Sequence, residues 1–173
     1  MPVVKRIVDV KEEDLVLHKP EANGTGRFSK ARVPLLQTMA LTYVYENNEV
    51  QVLCDDAHAN QVHMCDDRLC AIISENSSEW FGQSICHDFV EKMLRPSLQG
   101  SRHPRLNLRA DRLKAFDQDT NPVDSLGSAG TAIFILRLDG VHFEERSCEA
   151  RWSVMQAKAC VPPPPPENGP LFL

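Results

Sequence analysis

Apolar and polar positions alternate most cleanly over residues 41–54, LTYVYENNEVQVLC, where Tyr43 and Tyr45 lead into Asn47-Asn48 and Val50 and Val52 lead out. A period of two on both sides of an asparagine pair predicts strand, tight turn, strand. The same period predicts a first strand over Val3–Val10, with Leu15–Leu17 as a short continuation. QVHMC and LCAII read as the arms of a second hairpin around the polar turn CDDRL. AIFILRL and VHFEERS read as a third, turning at Asp139-Gly140.

Helical spacing predicts three helices. Leu35, Leu36, Met39 and Ala40 suggest a short one within residues 29–41, with Pro34 in its first turn. A second is capped by Ser84 and stopped near Arg95 by Pro96, with Ile85, Phe89, Val90, Met93 and Leu94 on one face. CEARWSVMQAKAC, behind a Ser147 cap, suggests a third. Residues 97–131 admit either strand or short helix, ending in the loop DQDTNPVDSLGSAG.

These elements predict an α+β fold: a curved, mostly antiparallel sheet or partial barrel of five to seven strands, packed by two or three helices. Residues 1–160 are expected to form a single globular domain, and residues 161–173 a proline-rich extended tail. No strand–helix alternation of the parallel kind occurs, nor a phosphate-binding or dinucleotide glycine motif.

Composition narrows the function classes. The chain has 173 residues, enough for a core without metal or disulfide staples. A formal net charge of −5 argues against a general nucleic-acid binder. The N-terminal residues do not read as a signal peptide, and no apolar run is long enough for a membrane helix. The expected location is therefore cytoplasmic, with all six cysteines reduced.

Four features carry candidate chemistry. Residues 53–70, LCDDAHANQVHMCDDRLC, concentrate thiols, imidazoles and carboxylates. If Cys65 and Cys70 flank a hairpin turn, His63 and Cys54 complete a candidate zinc set. The competing reading makes the cysteines core residues and the aspartates turn residues. Cys86 is a candidate nucleophile; the adjacent His87 is a poor base for it, so His63 or His142 would have to serve.

Arg102, Arg105, Arg109 and Arg112 form a basic run that could grip phosphate, an acidic partner surface or RNA backbone; the acidic surface is preferred, because no interleaved aromatics suggest base stacking. Finally, Pro162, Pro163, Pro164, Pro165 and Pro166 must be extended polyproline II, a ligand shape for aromatic-lined grooves, leading to apolar Leu171 and Phe172.

Together these features predict a non-catalytic adaptor or assembly subunit. Its partner would be a protein bearing a polyproline-binding groove or an acidic surface. Nucleic acid is not favoured, no cofactor or catalytic residue is assigned, and homo-oligomerisation is left open. The alternative is a small enzyme or zinc-binding domain centred on the Cys/His cluster at residues 54–87.

Overall fold

The computed structural model describes residues 3–160; the expected tail contacts at Pro162–Pro166, Leu171 and Phe172 lie outside them. The described strands are β1 (Val4–Arg6), β2 (Val16–Leu17), β3 (Glu21–Asn23), β4 (Gly26–Arg32), β5 (Leu35–Glu46), β6 (Glu49–Leu53), β7 (Leu94–Arg95), β8 (Leu98–Gln99), β9 (Arg105–Arg109), β10 (Lys114–Phe116), β11 (Pro122–Val123), β12 (Ala129–Phe143) and β13 (Cys148–Ala159). Two helices, α1 (Asp56–Phe81) and α2 (His87–Met93), complete the fold. None is long and apolar enough to cross a membrane.

Five strands close into a barrel. β5 pairs with β6, β6 with β9, β9 with β13, β13 with β12, and β12 returns to β5. Every pairing is antiparallel except β9 with β13. Numbered along the chain, the barrel strands therefore lie in the order 1-2-3-5-4, the Greek-key arrangement of OB-type barrels. Alternation fills the interior: Leu36, Val50, Val52, Leu106, Leu108, Phe134, Leu136 and Val154 are all at most 1% exposed. The α+β expectation holds, as a closed barrel with extra strands and two helices packed on it.

Local turn chemistry explains the first hairpin. Asn47 and Asn48 both take positive φ, 51° and 62°, the paired left-handed conformation that two-residue hairpin loops require and asparagine tolerates.

Closure bends β5, and its register with β12 shifts between Ile133 and Ile135. The backbone groups displaced there find side-chain partners. Thr38 Oγ1 accepts from the Phe134 amide at 3.0 Å and donates to the Met39 carbonyl at 2.6 Å. The Met39 amide donates to Nε2 of His58 at 3.1 Å, which leaves Nδ1 of that buried ring to donate to Asp55 Oδ1 at 2.6 Å. Asp55 is also the N-cap of α1, accepting from the His58 amide at 2.9 Å.

Several local expectations are corrected. Residues 61–73 are not a hairpin but the middle of α1. Its buried positions His58, Val62, Cys65, Leu69, Ile72 or Ile73, and Trp80 recur at helical spacing. The helix ends at Gly82, whose φ of 74° forms a left-handed cap.

Residues 29–41 lie in β4 and β5, and residues 148–159 form β13 rather than a helix. Asp139-Gly140 does not turn the chain: β12 runs through it, and the turn falls at residues 144–147. A Cβ at Gly140 would sit 2.0 Å from the Ser29 carbonyl oxygen, so glycine serves a close strand approach rather than a turn.

Thr38→Val keeps the shape but leaves the buried Phe134 amide without an acceptor. The expected cost is about 1–3 kcal/mol of unfolding free energy, read by urea denaturation. An unchanged midpoint would show that the bulge does not depend on this hydroxyl.

Candidate functional site

The outward positions of three neighbouring barrel strands build a cationic cleft. β9 buries Leu106 and Leu108 and so must present Arg105, Asn107 and Arg109 on its outer face. β13 buries Trp152 and Val154 and presents Arg151, Ser153 and Met155; β12 buries Leu136 and Leu138 and presents Arg137 and Asp139.

Register aligns them. Glu49 lies opposite Arg109, Arg109 opposite Ser153, and Ser153 opposite Arg137, forming a row across four strands.

Two adjoining hollows share Arg109 and Arg151. One of about 380 Å³ adds Arg95, Ser97, Asn107 and Glu149; the other, of about 270 Å³, adds Phe28, Arg112, Arg137 and Asp139. The cleft runs from the β6–β9 side, beside the first hairpin, to the base of the β12–β13 ribbon.

Five guanidinium groups (Arg95, Arg109, Arg112, Arg137 and Arg151) face four carboxylates, those of Glu49, Asp111, Asp139 and Glu149. The pairing is uneven. Arg137 Nε is 3.0 Å from Asp139 Oδ1, and Glu149 meets both Arg151 at 3.5 Å and Arg95 at 3.8 Å. Asp111 accepts from Asn48, and Asp139 also accepts from Ser153. Arg109 and Arg112 have no carboxylate within 4.0 Å among the described residues and so remain available to a ligand anion.

A polar chain stiffens the floor. The Trp152 indole N–H donates to Ser97 Oγ at 3.1 Å. Ser97 in turn donates its hydroxyl and its amide to the buried Asp66 at 2.6 and 2.9 Å. Burial raises the Asp66 pKa, and the two Ser97 bonds oppose that shift.

Of the basic run, Arg105 and Arg109 lie on the outer face of β9, Arg112 lies just beyond it, and Arg102 sits in the exposed connection before it. The structure adds Arg95, Arg137 and Arg151 to them. Arg137 and Arg151 are each the polar position in an alternating strand; Arg137 falls in a segment that reads as strand, whereas the signal at Arg151 is obscured when residues 148–160 are read as helix.

The zinc set is dispersed. Cys65 and Cys70, five residues apart on α1, project about 140° apart around its axis. They are 1% and 3% exposed in the core, while His63 faces solvent and Cys54 is buried ahead of the helix. Burial pushes the thiol pKa to about 11 for Cys54 and Cys70 and about 12 for Cys65, suppressing the thiolate that metal ligation needs.

The described residues that do gather at ligating distance are His87, Asp88 and Glu91, all exposed on α2. Cys86 is exposed and has no hydrogen bond to a histidine among the described residues.

Fold and site together define an OB-type barrel with an arginine-lined cleft across its third, fourth and fifth strands. Residues 40–166 match the model of a family of unknown function (DUF5871), and the chain belongs to that family. No curated protein matches the sequence.

Among solved structures, the chain is similar to the single-stranded DNA-binding protein from bacteriophage Enc34 in complex with ssDNA, at TM-score 0.48 and 8% identity, covering 86% of this chain and 97% of that one. A second structure of the Enc34 protein matches at TM-score 0.48 and 9% identity, covering 83% and 89%. Its C-terminal truncation matches at TM-score 0.48 and 9% identity, covering 86% and 96%.

The adaptor expectation is corrected here. The basic run is no separate docking segment: Arg105 and Arg109 stand on β9, and Arg109 and Arg112 line a cleft in the barrel wall. The expectation that nucleic acid is not a favoured partner is corrected on the same geometry: it rested on a net charge of −5, which averages over a surface where five arginines are gathered in one cleft.

The Asp66 shift has a definite sign. A carboxyl whose folded pKa is raised contributes stability below its unfolded value, roughly pH 4, and loses it as pH rises through the folded value. Asp66→Asn removes the ionisation, so its stability relative to wild type should improve from about pH 3 to pH 7, measured by urea denaturation. A pH-independent difference would contradict this.

Proposed function

We propose that the protein binds single-stranded nucleic acid in the cleft formed by β9, β12 and β13. The observation that carries this reading is the gathering of five arginines in one cleft, two of which, Arg109 and Arg112, have no carboxylate partner among the described residues. Barrels of this topology bind oligonucleotides or oligosaccharides across the strand 2–3 face and its flanking loops; the cleft meets that face at Glu49 of β6 and at Asn107 and Arg109 of β9 and extends from it onto β13 and β12. Several arginines on one face favour the polyanion of the two, because each can form paired hydrogen bonds to phosphate.

Hollows of about 380 and 270 Å³ offer room for groups of nucleotide size. Phe28 brings an aromatic ring to the smaller hollow, and Asn107 and Gln99 bring hydrogen-bonding side chains to the larger. Arg105, Arg109 and Arg112 are assigned to the backbone, with Arg102 as a peripheral contact. We place the protein in the reducing cytoplasm, a reading supported by its six free cysteines.

The test is fluorescence anisotropy of a labelled oligodeoxynucleotide titrated with the full chain at several salt concentrations. Binding should weaken with salt, with a log–log slope of about −0.7 per phosphate contacted. Arg109→Ala and Arg112→Ala should each weaken binding about three- to tenfold and make the slope shallower by about 0.7. No binding at low salt, or binding indifferent to both substitutions, would sink the proposal.

A further inference from the structure

Glu149 stands apart from the other carboxylates of the cleft. It lies on β13 at the mouth of the larger hollow, with its two oxygens directed at different arginines: Oε1 is 3.5 Å from Arg151 and Oε2 is 3.8 Å from Arg95. Arg151 lies two residues along β13 from Glu149, and Arg95 lies on β7, which pairs with β13 opposite Glu149. An anion whose two oxygens face two guanidinium groups is also the arrangement a phosphate adopts between paired arginines. The glutamate side chain is 40% exposed, so it is free to rotate outward.

We infer that Arg95 and Arg151 form a phosphate subsite and that Glu149 occupies it as an internal stand-in until a nucleic-acid phosphate displaces it. This inference rests on the nucleic-acid reading of the cleft and assigns that site its own competitor. Displacement exchanges one anion for another. The subsite therefore contributes little to the salt dependence of binding while the glutamate is present, because few condensed counterions are released there on net. Arg109 and Arg112 carry the salt-dependent part.

The experiment compares wild type, Glu149→Gln and Glu145→Gln, the last removing an exposed acid outside the cleft. The probe is a labelled oligodeoxythymidylate of about 20 nucleotides, comparable to the longer known barrel sites. Glu149→Gln should tighten binding about three- to tenfold and steepen the log–log salt slope by about 0.7, while Glu145→Gln changes affinity less than about twofold. Adding Arg95→Ala to Glu149→Gln should abolish the gain, whereas Arg95→Ala alone should have little effect. Thermal melting checks that each variant is folded.

Equal gains from both glutamine variants, or no gain and no change of slope in Glu149→Gln, would overturn the subsite while leaving wild-type binding as evidence for the cleft. No binding by any variant would overturn the cleft reading and the subsite together.

Discussion

A five-stranded barrel closes only where its long strands bend, and each bend takes backbone groups out of the ladder. Buried amides and carbonyls left unpaired would cost more than closure gains. At the bend in β5 the debt is met by Thr38 and His58, one from the strand and one from the helix. The second partner matters beyond the strand. His58 lies in the first turn of α1, so the bond that satisfies the Met39 amide also fixes where the helix begins on the barrel. Asp55 then secures the same turn twice, through the His58 amide and its ring. The helix follows β6 directly, so its placement governs where the chain re-enters as β9 and hence the wall on which the arginines stand.

Legibility along the sequence followed the range of the deciding interaction. The hairpin at Asn47-Asn48 was readable because its turn and its alternation are both local. Asp139-Gly140 carried an equally local signal and misled, because a contact from β4 decides the matter: the Ser29 carbonyl occupies the space a side chain would need.

Residues 61–73 misled for a related reason. Read in steps of two, His63 and Cys65 suggest a strand; read in steps of three and four, Val62, Cys65, Leu69 and Ile73 form a helical stripe. The aspartates tipped the first reading toward turns, yet Asp55 caps the helix and Asp66 is buried within it against Ser97. Propensity could not reveal that second role, since Ser97 is 31 residues away.

The cleft was half legible. Arg105 and Arg109 were visible as a basic run, but their meaning depends on β13 lying parallel to β9 and beside β12. Parallel pairing of distant segments leaves no trace at short range, so Arg137 and Arg151 could not be joined to the run. The sulfur and imidazole cluster failed in the opposite direction. It was dense in sequence, but the helix turns its members away from one another and burial raises the thiol pKa values.

Carboxylates beside the arginines are a consequence of the fold as much as of any ligand. Several guanidinium groups on one small face repel one another and would weaken the closed barrel if left uncompensated. Asp139, braced by Ser153, holds Arg137 along its own strand, and Glu149 holds the pair at the cleft mouth. Such partly exposed pairs contribute little stability individually, because water screens them. That weakness is what the proposed displacement requires: an anion could replace such a carboxylate at small cost. A cleft compensated in this way keeps its cations extended and separated in the free protein, so the arrangement that would meet a phosphate chain exists before the chain arrives.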